Sequence, residues 1–175
     1  GVYDQGWAPI RAERHQRAIE LGLIPTDTAL RPLPSNMRNW DALPQETRAH
    51  LAMNMQVNAG MIEAMDHHLG RFIEQLKATD QYDNTVFVFV SDNGPEPNDP
   101  LDTPGIEQWL DHVGYSRDLK TLGEKGTYAY IGPEFATAAA APYADFKFYA
   151  SEGGLRVPAI ISGACVPKAG KVDAL

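Results

Sequence analysis

The run Thr85-Val86-Phe87-Val88-Phe89-Val90 restricts the fold more than any other segment. All six residues are β-branched or aromatic, with no polar alternation. Such a run suits a strand buried on both faces, which predicts a parallel, helix-covered sheet. Polarity returns abruptly at Ser91-Asp92-Asn93-Gly94. Ahead of the strand, Met53, Val57, Met61, Ala64 or Met65, Leu69, Phe72 or Ile73, and Leu76 recur every three or four residues. This spacing predicts one face of a long amphipathic helix over about 45–79. Behind it, Pro95, Pro97, Pro100 and Pro104 open a long excursion over 94–146. The excursion carries a short helix near 106–110, the aromatic residues Tyr128, Tyr130 and Phe135, and an alanine run at 136–141. A loop of this length inside a domain is either functional or disordered, and its aromatic and small apolar residues favour a folded, functional one. A second short strand is expected over 157–162. A further helix is expected within 4–23, and prolines make 26–44 an irregular connector.

Composition excludes several classes. The chain of 175 residues has a net charge of -8 and one cysteine. The acidic balance argues against a nucleic-acid partner. A single cysteine rules out an intrachain disulfide framework and a multi-cysteine zinc site. No apolar run approaches the roughly 18 residues of a membrane span. The opening Gly1-Val2-Tyr3, without methionine, gives the expectation that the chain is a piece of something longer.

Few residues invite chemistry. Asp92 and Asn93 follow the carboxyl end of a buried strand, where ligands gather in open α/β sheets. A carboxylate beside an amide oxygen supplies hard donors for Ca²⁺ or Mg²⁺. Asp-Asn-Gly is equally a favoured turn. Lys147, between Phe146 and Phe148, is either a point charge for an anion or a solvated lysine. In Glu152-Gly153-Gly154-Leu155-Arg156-Val157-Pro158 the glycines imply a bend, and Glu152 and Arg156 are placed to pair across it. His67 and His68 point about 100° apart on the helix and do not share a metal easily. Cys165 reads as a small packing residue.

These blocks carry a resemblance. Met61-Ile62-Glu63-Ala64-Met65-Asp66-His67-His68-Leu69-Gly70, then Phe89-Val90-Ser91-Asp92-Asn93-Gly94, then Lys147 with Glu152 to Ala159, resemble the sulfatase family of the alkaline phosphatase superfamily in order and spacing. Tyr130-Ile131-Gly132-Pro133 and the alanine-rich stretch most resemble bacterial arylsulfatases. The resemblance implies an α/β fold with a mixed, mostly parallel sheet covered by helices. It implies hydrolysis of a small-molecule sulfate ester by a formylglycine, with Ca²⁺ neutralising sulfate oxygens. Asp92 and Asn93 match calcium ligands of that family, and Lys147 matches the lysine that contacts the sulfate and the leaving oxygen. Glu152, Arg156 and Asp66 match recurrent positions read as structural.

The departures define the rest. Cys165-Val166-Pro167-Lys168-Ala169 begins like the Cys/Ser-x-Pro-x-Arg nucleophile motif, but Ala169 stands at the arginine position. It also lies downstream of Lys147, where the family places no nucleophile. The first pair of calcium aspartates, the histidines and a second lysine have no counterpart. The chain is therefore expected to be an internal part of a sulfatase domain, inactive alone, with the remainder of the domain as its partner. Were this segment to bind calcium by itself, further ligands would come from Asp99 or Asp102. A phosphodiesterase or phosphonate monoester hydrolase of the same superfamily, and a fold-retaining binding domain, are the alternatives. Trp109, Tyr115, Tyr128 and Tyr130 either wall a substrate pocket or pack the excursion onto the sheet. A periplasmic, secreted or cytoplasmic location is equally compatible.

Overall fold

A computed structural model describes residues 1–99 and 103–166. The elements in chain order are α1 (Trp7–Glu20), α2 (Gln45–Ala78), β1 (Val86–Val90), α3 (Ile106–Val113), α4 (Gly132–Ala139), α5 (Glu152–Leu155) and β2 (Ala159–Gly163). The helix expected over 45–79 and both strands are present within two residues of their predicted ends. The expected connector contains a single 3-10 turn, Trp40–Ala42.

The core lies at one end. Trp7 and Ile10 of α1, Trp40, Leu51, Ala52 and Met55 of α2, and Phe135 and Ala138 of α4 form one buried cluster. Trp7 meets Trp40 edge-on at 5.1 Å and Phe135 at 5.8 Å between ring centroids. Edge-to-face pairing sets the positive ring edge against the negative face of its neighbour. Arg11, itself buried, ties α1 to the end of α4. Its guanidinium donates to the carbonyls of Tyr143 at 2.8 Å and Thr137 at 3.3 Å, and to that of Arg31. Burial away from water pushes its pKa down from the ordinary arginine value.

A second polar anchor crosses the same end. Arg38 grips Glu134 with Nε and Nη2, each at 2.7 Å from a carboxylate oxygen. Its backbone N–H donates to the same carboxylate at 3.2 Å. Asp99 lies 3.7 Å from Arg38 Nη2. Burial raises the Glu134 pKa, but the hydrogen bonds and charge of Arg38 outweigh it, so the carboxyl is held below its ordinary value.

Two expectations need correction. The strands pair with each other antiparallel, Val86 opposite Gly163 and Val90 opposite Ala159. They are also open rather than buried: Val88 is 64 % exposed and Ile160 and Ile161 59 % each. Among the described residues the only aromatic neighbours of β1 are Phe72 and Tyr82, both against Phe87. No third strand among the described residues covers the sheet. The fold class itself stands: helices and sheet in one α/β unit.

The second correction concerns α2. The stripe read from the sequence runs through Met53 and Val57 to Leu69 and Phe72, but the buried residues are Leu51, Ala52, Asn54 and Met55. Leu51 and Met55 are two residues out of phase with Met53 and Val57, about 200° around the helix. The core therefore takes the opposite face of the first half. The predicted stripe stays exposed through Met61, Met65, Leu69 and Phe72. Of the described helices, none is long and apolar enough to cross a membrane.

Candidate functional site

Backbone hydrogen bonds bring the separated blocks to one end of the sheet. The Gly94 N–H donates to the Gly154 carbonyl at 2.9 Å, and the Lys147 N–H to the Pro95 carbonyl at 3.1 Å. The Gly153 N–H donates to the Ala144 carbonyl at 3.1 Å. The approach is close enough to require glycine on both sides. A Cβ on Gly94 would lie 2.0 Å from the Gly153 oxygen, and one on Gly153 would lie 2.1 Å from the Ala144 oxygen. No ordinary side chain fits at such distances. The glycines of the strand-end turn and of the Glu-Gly-Gly block therefore lock together the segments that carry Asp92, Asn93 and Lys147.

A cleft of about 550 Å³ opens beside this junction. Asn93, Glu96 and Asn98 give it polar groups, and Tyr128, Tyr130 and Met61 give it apolar wall. Asn93 lines it, whereas Asp92 and Lys147 do not. Asp92 is exposed at the strand end. Lys147 reaches the rim through Glu96: its Nζ donates to Oε2 at 2.5 Å. It also sits 5.2 Å from the centre of the Phe148 ring. The hydrogen bond to Glu96 raises the Lys147 pKa against slight desolvation, and the charges of Glu96 and Asp92 add to it. The ammonium is therefore firmly protonated.

The donor chemistry of Asp92 and Asn93 fits a hard cation, but two donors fall short of the six to eight oxygens calcium takes. Among the described residues no three His, Cys, Asp or Glu side chains converge in a way that would hold a metal. Asp99 is buried, with a carboxylate oxygen 3.7 Å from Arg38 Nη2. Asp102 lies outside the described residues.

The supporting residues fall where expected in part. Arg156 pairs with Glu152 at 3.1 Å and lies over the Tyr143 ring. His67 and His68 stack edge-on on an open helix face. Cys165, read as a packing residue, is exposed with φ 62° in the turn after β2. Trp109, Tyr115, Tyr128 and Tyr130 form a continuous file with centroids 6.3 to 6.5 Å apart. Its last two members wall the cleft.

Two residues escaped the sequence reading. Asn54, fully buried in α2, accepts the Tyr130 N–H on Oδ1 at 2.9 Å and donates to the His50 carbonyl at 2.9 Å. It thereby fixes the cleft wall to the long helix. An asparagine amid good helix formers was the available signal, since its side chain competes with helical hydrogen bonds. Glu96, the partner of Lys147, lies in a proline-rich loop where nothing in the sequence marks it.

The described residues form an α/β unit in which the end of β1 and the Glu-Gly-Gly block meet beside a cleft with polar and aromatic walls. Comparison with known proteins supplies the family. The Sulfatase family signature matches residues 16–175. An arylsulfatase of Klebsiella aerogenes is 35 % identical over 175 residues, covering 99 % of this chain and 37 % of that protein. An uncharacterized sulfatase of Schizosaccharomyces pombe is 35 % identical over 162 residues, covering 92 % of this chain and 29 % of that protein. The chain belongs to the sulfatase family, and it spans about a third of the length of these relatives.

Proposed function

We propose that this chain is the internal part of the catalytic domain of an arylsulfatase-like enzyme that hydrolyses sulfate esters. The observation that carries the reading is the junction itself. Two family blocks, the strand end at Gly94 and the segment from Lys147 to Gly154, lie more than fifty residues apart in the chain and meet through the Gly94–Gly154 and Lys147–Pro95 backbone bonds. Family membership and the arylsulfatase relative support the chemistry.

In this reading Asp92 and Asn93 hold part of a calcium shell, completed by ligands from elsewhere in the domain. Calcium, when bound, neutralises negative charge on the sulfate oxygens. Lys147 supplies a second positive charge, fixed and protonated, to the transferring group and the leaving oxygen. The nucleophile comes from a Cys/Ser-x-Pro-x-Arg segment upstream and is converted to formylglycine. Cys165 is not that nucleophile, because of its position after β2 and Ala169. Tyr128 and Tyr130 face the ester's organic group. Flat rings beside apolar Met61 favour an aryl ester, which stacks on such a wall.

The test uses the complete catalytic domain. Turnover of an aryl sulfate should vanish on chelation, return with calcium, and fall at least about a hundredfold in Lys147→Ala. Faster turnover of phosphate diesters or phosphonate monoesters than of aryl sulfates would overturn the sulfatase reading. Full activity in Asp92→Ala would overturn the metal assignment.

A further inference from the structure

Lys147 is more tightly held than a surface lysine needs to be. We propose that Glu96 is a positioning residue that aims the Lys147 ammonium at the cleft. The proposal rests on the reading that Lys147 meets the sulfate.

Three observations carry it. The two side chains leave backbones that are already joined, through the Lys147 N–H and the Pro95 carbonyl. Their pairing at 2.5 Å is thus built into the junction. Second, Glu96 lines the cleft whereas Lys147 does not. The carboxylate is what draws the charge to the rim. Third, Phe148 adopts φ 81°, a left-handed backbone unfavourable for an aromatic residue. Its exposed ring gains no burial there, but it faces the ammonium at 5.2 Å. Strained residues of this kind persist where the surroundings impose them, and they cluster at functional positions.

The chemistry is consistent. An ammonium has three N–H donors. One on Glu96 leaves two for sulfate oxygens and the leaving oxygen. A lysine's four-carbon stem is otherwise free to wander. A bare carboxylate at this rim would repel an anionic ester, whereas the pair is neutral and keeps the donors aimed inward.

The experiment is a double-mutant cycle in the calcium-loaded complete domain, read on aryl sulfates of graded leaving-group basicity. Glu96→Gln should lower kcat roughly tenfold through misplacement of Lys147. KM should stay level or fall, because a negative charge leaves the rim. The loss should grow with leaving-group basicity, and Glu96→Asp should restore part of it. On a Lys147→Ala background, Glu96→Gln should add nothing. Phe148→Leu, which keeps the backbone position apolar, should give a smaller loss of the same pattern. Melting temperature checks that each variant is folded. If Lys147→Ala is fully active, the assignment of Lys147 fails and the proposal with it. If Lys147→Ala is impaired while Glu96→Gln matches the parent, or adds its full effect on the Lys147→Ala background, the positioning role alone is overturned.

Discussion

The two halves of α2 sit in different worlds. Leu51, Ala52 and Met55 are sealed into a core of four aromatic rings with α1 and α4, and Phe135 at its centre has no exposed surface. From Met61 onward the apolar stripe of the same helix lies open, with Phe72 meeting Phe87 of β1 edge-on. Apolar content does not distinguish the halves. What differs is whether the chain supplies the covering elements. The closed end completes itself from sequence-distant pieces. At the open end the two strands pair only with each other among the described residues, in a chain about a third as long as its relatives.

The comparison is most exposed to failure at Phe135. Phe135→Ala removes a fully buried ring that Tyr3, Trp7 and Trp40 all contact edge-on. It should cost about 3–5 kcal/mol by urea denaturation. A cost under 1 kcal/mol would mean the closed end is not the stabilising core. Glu134→Gln comes next, at about 3 kcal/mol, since it leaves Arg38 facing a buried neutral group. The same residue gives a pH signature. Its folded pKa is depressed, so the stability it contributes is complete above its ordinary value of 4.5 and is lost as pH falls through the folded pKa. Stability should therefore drop on acidification below that value, with a shallower slope in Glu134→Gln. Asn54→Ala should cost about 2 kcal/mol by orphaning the Tyr130 N–H. In the complete domain it should also weaken aryl ester binding by loosening the cleft wall, read as a raised KM.

Much of this arrangement was legible in the sequence, for identifiable reasons. Local signals placed α2, β1, β2 and α3, because periodicity and β-branched runs act over neighbouring residues. The Asp92-Asn93-Gly94 and Glu152-Gly153-Gly154 blocks were visible because close backbone approach demands glycine. The face of α2 was misassigned because Met53, Val57 and Met61 satisfy the same helical period as Leu51 and Met55. Only the position of α1 and α4 decides between them. Burial of β1 was expected from its composition, but among the described residues β2 alone pairs with it and leaves its faces open. The pairs Arg38–Glu134 and Lys147–Glu96 join residues 96 and 51 positions apart. No local pattern encodes them, and so the positioning role of Glu96 emerged only from the geometry.

The smallest effect is the sharpest test of the open end. Val88 stands on the sheet face away from Phe87 and is 64 % exposed. It pairs across the sheet with Ile161. Val88→Ser in the 175-residue chain should change stability by less than about 0.5 kcal/mol, because little apolar area is withdrawn from water there. In the complete domain the same substitution should cost about 1.5–3 kcal/mol, the loss expected when a buried valine side chain is replaced by a polar one. Equal, small costs in both contexts would show that this face stays open in the complete domain, and the contrast between the halves of α2 would then be intrinsic to the fold. Equal, large costs would show that the short chain covers its sheet by self-association, which a concentration-dependent melting temperature would confirm.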